Sequence, residues 1–323
     1  MEKLNQAITG ICSFGKYPIC LDIDNINANF AILGAPYDSS VGFMPGSRLG
    51  PRRIREASTQ YGRGNSGFYN YETNEQLLES PGIVDCGDAD IQAGQHEFSH
   101  KNIEMSVRKI LRRGVIPVIL GGDHSVTIAV GRALEELKGK VSIVQFDCHL
   151  DFSDHIGDFY ESPGSPMRRL SEMNHIDKIT QIGIRGMGSS KRTDFDDART
   201  YGTLITSKEV HSLGAVEVAA LIPESEKYYI TIDIDGFDMS IAPGTCAPYP
   251  GGLLFDEVID IISEICKKGD IVGFDLVEVA PQIDPSGITA RLGALVVINT
   301  IAQILKYKRI RLQSSGGYSY GER

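Results

Sequence analysis

Six side chains able to ligate metal stand in three short segments of this 323-residue chain, each directly after an apolar run. Val115-Ile-Pro-Val-Ile-Leu120 leads into Gly121-Gly-Asp-His-Ser125, and Ser142-Ile-Val-Gln-Phe146 leads into Asp147-Cys-His-Leu-Asp151. The third run, Tyr228-Tyr-Ile-Thr-Ile232, leads into Asp233-Ile-Asp235. His124, Asp147, His149, Asp151, Asp233 and Asp235 therefore offer two imidazoles and four carboxylates. Such a set suits a pair of divalent cations, and a cation pair ionises water at neutral pH. A lone Asp-x-Asp is more often a solvated strand end. Three acidic clusters behind three apolar runs outweigh that reading.

Hard carboxylate oxygens beside only two imidazoles favour manganese, while nickel, cobalt and zinc also bind sets of this kind. No thiolate-rich group points to an iron–sulfur cluster or a structural zinc. Gly121 and Gly122 lack the Lys-Ser/Thr of a phosphate loop. Gly164-Ser165 is followed by Pro166, so no nucleophile elbow supports serine catalysis.

The elements that must position these residues are legible from periodicity. Continuous apolar runs mark buried parallel strands, whose carboxyl ends collect ligands. Strand-like runs fall at 30–33, 82–86, 115–120, 142–146, 179–184, 203–206, 228–232 and 271–276. Helical spacing joins Ile103, Val107, Ile110 and Leu111, and again Val258, Ile261, Ile262 and Ile265. Ser125 is placed to cap the helix after the first cluster, and Asp256 to open another. The alternation predicts an α/β fold, three-layer α/β/α, around a mainly parallel eight-stranded sheet. If each ligand segment stays extended, Asp147, His149 and Asp151 point to one side, Asp233 and Asp235 share a side, and Cys148 points away.

Bulk properties narrow the functions. A net charge of −10 argues against a nucleic-acid partner. No apolar run was expected to reach the length of a membrane span, and the N-terminus shows no secretory pattern. Six scattered cysteines without a CxxC pair read as reduced thiols, which fits a cytoplasmic location. No linker or repeat divides the chain, so residues 1–313 are read as one domain and 314–323 as a flexible tail or a partner-contacting arm. Residues 152–166 are expected to form a loop over the acidic rim.

At this point the motifs carry a family resemblance. The chain resembles the ureohydrolases, the arginase/agmatinase family, on its agmatinase-like branch. Gly121-Gly-Asp-His-Ser125 resembles the family's first metal motif, and Asp147-Cys-His-Leu-Asp151 its second, with Cys148 in place of alanine. Thr231-Ile-Asp-Ile-Asp-Gly-Phe-Asp238 and Ala242-Pro-Gly-Thr245 resemble the third. Gly46-Ser-Arg-Leu-Gly-Pro-Arg-Arg-Ile-Arg55, Gln181-Ile-Gly-Ile-Arg-Gly186 and Glu278-Val-Ala-Pro281 also fit, so the similarity spans almost the whole chain. The resemblance implies that Asp147 and Asp233 bridge two metal ions, with His124 and Asp151 completing one site and His149 and Asp235 the other. It implies manganese, a homo-trimer or homo-hexamer, a proton-shuttling role for Asp151, and a Glu278 that pairs with a substrate guanidinium.

Departures from the family pattern bear on the substrate. Pro163 stands where agmatinase-like relatives carry a histidine before a Gly-Ser/Thr-Pro step, and His155 is the loop histidine available to replace it. Met239 replaces a proline, and Cys246-Ala-Pro-Tyr249 replaces Gly-Thr-Pro-Glu. Pro163, Met239, Cys246 and Tyr249 are accordingly candidate substrate contacts. The resulting expectation is a small guanidino substrate other than arginine, of the agmatine or guanidinobutyrate type. Guanidine itself or a substituted guanidine or biguanide such as metformin is the alternative. A non-enzymatic reading makes the chain a subunit of a hetero-oligomer with an active paralogue. The full set of six ligands weighs against it.

Overall fold

The computed structural model describes residues 6–187 and 190–314. Among the described residues ten strands are present: β1 (Phe30–Ala35), β2 (Phe68–Asn70), β3 (Glu75–Leu77), β4 (Ile83–Asp88), β5 (Ile116–Gly121), β6 (Val141–Phe146), β7 (Ile176–Ile184), β8 (Gly202–Thr206), β9 (Lys227–Asp233) and β10 (Asp270–Val277). The longer helices are α1 (Gly50–Ser58), α2 (His96–Arg112), α3 (Val126–Ala133), α4 (Pro166–Ser171), α5 (Arg192–Tyr201), α6 (Ser207–Leu213), α7 (Ala215–Leu221), α8 (Phe255–Lys268) and α9 (Ile288–Ser314).

Eight strands form one sheet in the order β4-β1-β5-β10-β9-β6-β7-β8, and every neighbouring pair is parallel. All eight expected runs became its strands. The β2–β3 hairpin lies apart and was not expected, because its strands are only three residues long and carry no apolar run.

Alternation along each strand feeds two cores. Phe30 and Ile32 of β1, Val118 and Leu120 of β5, and Ile230 and Ile232 of β9 face the layer containing α1, α8 and α9. Ala31 and Leu33 of β1, Ile119 of β5 and Tyr229 of β9 face the layer containing α2 and α3. This is the three-layer architecture that the alternation of strands and helices predicts.

One expectation needs correction. Ile288–Arg311 is long and apolar enough to cross a membrane, with a mean hydropathy of 1.7 over its most apolar window. That window is 67% buried inside the protein, so the helix serves as a core element here. Arg291, Asn299, Thr300 and Gln303 interrupt its apolar residues, so no continuous apolar run of that length stands in the sequence. The six cysteines are unpaired thiols. Of the proposed tail, Ser314 ends α9 and the remainder lies outside the described residues.

The sheet order explains how remote segments meet. The central strands β5, β10, β9 and β6 are consecutive neighbours, in registers pairing Leu276 with Leu120, Val277 with Asp233 and Phe146 with Ile232. Their carboxyl ends are level, and each hands its next residues to the same rim.

Candidate metal centre

His124 follows β5, Glu278 follows β10, Asp233 and Asp235 close β9, and Asp147, His149 and Asp151 follow β6. His124 Nδ1 faces three carboxylates, Asp151 at 2.9 Å, Asp147 at 3.1 Å and Asp233 at 3.3 Å. His149 Nδ1 lies 3.1 Å from Asp235 Oδ2 and 3.6 Å from Asp147 Oδ1. Asp147 therefore turns one oxygen toward each imidazole.

The residues converge as expected, but not by strand alternation. β6 ends at Phe146, after which the chain turns: the His149 backbone N–H donates to Asp147 Oδ1 at 2.6 Å, and Asp151 sits at φ +50°. Asp235 lies in a 3-10 turn, with its N–H donating to Asp233 Oδ1 at 2.8 Å. Because the backbone is not extended, Cys148 does not point away. Its buried Sγ lies 3.3 and 3.4 Å from the two His149 ring nitrogens. Burial raises this thiol strongly, keeping it protonated and a poor ligand. Glu278 is likewise held at φ +63°. Two non-glycine residues in left-handed backbone at one rim mark a site whose geometry is imposed by its surroundings.

A layer of polar residues behind the ligands fixes their orientation. His124 Nε2 lies 2.9 Å from Thr231 Oγ1, whose hydroxyl donates to Asp275 Oδ1 at 2.6 Å. Tyr229 and Thr127 also donate to Asp275. Since the threonine hydrogen is committed, the network places a proton on His124 Nε2 and turns Nδ1 to the carboxylates. Gln145 donates to Asp147 Oδ2 at 2.6 Å, and Gln181 donates to Gln145. Arg185 spreads across carbonyls of Asp235, Phe237 and Tyr249, holding the turn that carries Asp235. Gly122 is required by space: a Cβ there would meet the Tyr37 carbonyl oxygen at 1.8 Å. These supports were missed in the sequence, although a threonine and an aspartate inside apolar strands were the available signal. Ser125 stands at the start of α3 without capping it. Its hydroxyl is committed to Asp123.

Electrostatics test whether a cation belongs here. His124 Nδ1 is buried, with three carboxylates directly in front of it. Burial opposes charge on this ring, yet Asp147, Asp151 and Asp233 outweigh it and raise the imidazole well above its ordinary value. Burial, then Asp147, pushes the Asp151 carboxyl up to about 7. Burial, with Asp235 and Asp147, raises Asp233. Glu278 is pushed up to about 8, first by burial and then by Asp123. Two carboxylates about 4 Å apart repel by about 4 kcal/mol at an effective dielectric near 20. A few such pairs rival the roughly 5–15 kcal/mol net stability of a whole domain. Bound divalent cations would relieve that repulsion, and two imidazoles with four carboxylates are a donor set that fits them.

Glu278 accepts the His124 backbone N–H at 2.9 Å through Oε1, while Cys246 Sγ approaches Oε2 at 3.7 Å. The remaining candidates lie farther out. Met239 is 41% exposed, Tyr249 packs beside Gly186, and Pro163 is half-buried. His155 is half-exposed, 3.1 Å from Asp154, with its ring beside Tyr160. The structure joins it to loop neighbours and not to the carboxylate cluster.

Comparison with known proteins agrees with this geometry. The sequence model of the Arginase family matches residues 28–302. The chain belongs to the arginase family. Within that family it is 33% identical to a guanidinobutyrase of Pseudomonas aeruginosa over 84% of this chain and 85% of that one. It is 31% identical to a human mitochondrial guanidino acid hydrolase over 92% of this chain and 84% of the other. The solved proclavaminate amidino hydrolase of Streptomyces clavuligerus superposes with a TM-score of 0.83 at 28% identity, covering 93% of this chain and 99% of that one. As an arginase-family protein the chain is a metal-dependent ureohydrolase.

Proposed function

We propose that this ureohydrolase uses two divalent cations, with manganese foremost and nickel next, to cleave a guanidino compound other than arginine into urea and an amine. The observation that carries the proposal is the arrangement around Asp147. One of its oxygens belongs to the His124 group, the other to the His149 group, and Glu278, just after β10, accepts the His124 backbone N–H. The names of relatives support an agmatine- or guanidinobutyrate-type substrate.

When bound, the cation pair would supply an ionised water at neutral pH. His124, Asp147, Asp151 and Asp233 would hold one ion, and His149, Asp235, Asp147 and Asp233 the other. A guanidinium carbon resists attack because three nitrogens share its charge. Glu278 answers by pairing with that planar cation in two charge-assisted hydrogen bonds, orienting the carbon toward the ligand cluster. The hydroxide oxygen would add to carbon, the bond to the substituted nitrogen would break, and Asp151 would carry the remaining hydroxyl proton to that leaving nitrogen, giving urea and the amine. Its placement between His124 and the loop at 152–165 suits that role.

A second reading is favoured by Pro163 and Tyr249, which stand where the agmatinase-like pattern carries a histidine and a glutamate. Guanidine or a substituted guanidine or biguanide then becomes the substrate. Steady-state assays on the manganese- and the nickel-loaded chain with agmatine, guanidinobutyrate, guanidine, metformin and arginine decide between them, with urea or dimethylamine as readout. Clear preference for arginine overturns both readings. Assembly into a homo-trimer or hexamer belongs to the same proposal, and light scattering of the purified chain tests it. Turnover appearing only with an added paralogue would instead favour the hetero-oligomer.

A further inference from the structure

A second group of ligating side chains lies outside the centre described above. His96 and His100 are one turn apart on α2, and Glu161 approaches them from the loop at 152–165. Glu161 Oε2 lies 3.1 Å from His96 Nε2 and 3.6 Å from His100 Nδ1, and the three ligand atoms fall within 4.8 Å of one another. Ligands about 2 Å from a shared ion are separated by just such distances. In sequence the segment reads His96-Glu97-Phe98-Ser99-His100, the H-E-x-x-H spacing that puts two imidazoles on one helix face. Glu97 is exposed while the histidines are covered, so the hydrolytic use of that spacing, with this glutamate as base, does not apply.

Independent evidence that a ligand belongs there comes from His100. Its ring is 1% exposed, and Nδ1, which faces Glu161, is buried with no hydrogen-bond partner. Nε2 lies 3.2 Å from Ser125 Oγ, whose hydroxyl donates to Asp123. The serine hydrogen is committed, so the network assigns the ring proton to Nε2 and leaves a bare lone pair at Nδ1. His124 has the same arrangement through Thr231 and Asp275. His96 is oriented in turn by Tyr37, whose hydroxyl lies 2.9 Å from Nδ1 and leaves Nε2 turned toward Glu161. Arg132 occupies the other Glu161 oxygen, Oε1, and leaves Oε2 for the shared position.

We propose that His96 Nε2, His100 Nδ1 and Glu161 Oε2 form a mononuclear site for a divalent transition metal, zinc above all. Two imidazoles and one carboxylate suit zinc, with water completing the tetrahedron. The ion joins α2 to the loop carrying Pro163, two residues beyond Glu161, and so pins the segment beside the catalytic rim. Its function is positional.

The test uses the full chain, zinc chloride as probe, and the substitutions His96→Gln and Glu161→Gln. The second keeps an acceptor for Arg132 and guards against misfolding. Anomalous diffraction at the zinc edge should show a peak among the three named atoms in the wild-type protein and none there in either variant. Loss of a ligand should weaken binding at this position by at least about 100-fold, beyond the effect of removing an outer-layer partner. Zinc should also slow proteolysis between residues 156 and 160 in the wild type and leave Glu161→Gln unprotected. Absence of the peak in zinc-soaked wild-type crystals overturns the proposal, whatever metal the Asp147 centre holds. A peak that persists in both variants overturns it too.

Discussion

His124 and Thr231 are joined by a 2.9 Å hydrogen bond that decides which ring nitrogen faces the carboxylates. The threonine passes its own hydrogen to Asp275, so a residue on β10 orients a ligand on the loop after β5 through a hydroxyl on β9. Thr231→Val keeps the shape and removes the relay. Such outer-layer changes typically cost about 10–100-fold in metal affinity or activity. The expected result is a shift of that size in the manganese titration, with activity recovering at saturating metal. Wild-type metal affinity in this variant would remove the relay from the account.

The ligand set itself makes a stricter prediction. His149→Ala and Asp235→Ala each take one partner from the same pair, 3.1 Å apart. Each should lose one bound ion per subunit by elemental analysis and lose turnover with it. Full activity with a single metal equivalent would contradict the binuclear proposal.

Much of this arrangement was legible before the structure, and the errors have physical causes. Apolar runs gave all eight sheet strands because parallel strands are covered on both faces. The β2–β3 hairpin escaped notice because its strands are three residues long and mix polar with apolar side chains, with no continuous apolar run. Alternation placed Cys148 wrongly because the backbone ceases to be extended at the strand end, where function resides. The His96–His100 spacing was overshadowed by the apolar periodicity of Ile103, Val107 and Ile110 on the same helix. Glu161 could not be joined to it from sequence, because loop closure sets that contact.

Cys246 provides a test of substrate binding separate from metal binding. Its thiol is raised strongly, chiefly by burial and then by Glu278, so it stays protonated and donates toward Glu278 Oε2 at 3.7 Å. Cys246→Ala removes this weak donor and frees a carboxylate oxygen for substrate. A hydrogen bond of about 1 kcal/mol corresponds to about a fivefold change. KM for the preferred guanidino compound should move by that order with metal content unchanged. A change in metal content instead would assign Cys246 to the metal centre.

The buried carboxyls also dictate a pH dependence of the metal-free protein. Asp151, raised to about 7 by burial and Asp147, and Glu278, raised to about 8 by burial and Asp123, bind protons where unfolded carboxyls are already ionised. From the ordinary carboxylate range up to about pH 8, these two groups give the folded state more protons than the unfolded one. Their stabilising contribution is complete at the acid end of that window and is lost as pH rises through 7 to 8. Divalent cations take the place of those protons and should flatten the slope. With chelator present, the Tm is expected to fall as pH rises through this window. With manganese it should hold or rise. A metal-free Tm that climbs through neutrality would mean that Asp151 and Glu278 are already ionised, and that repulsion within the cluster is relieved by something other than bound metal.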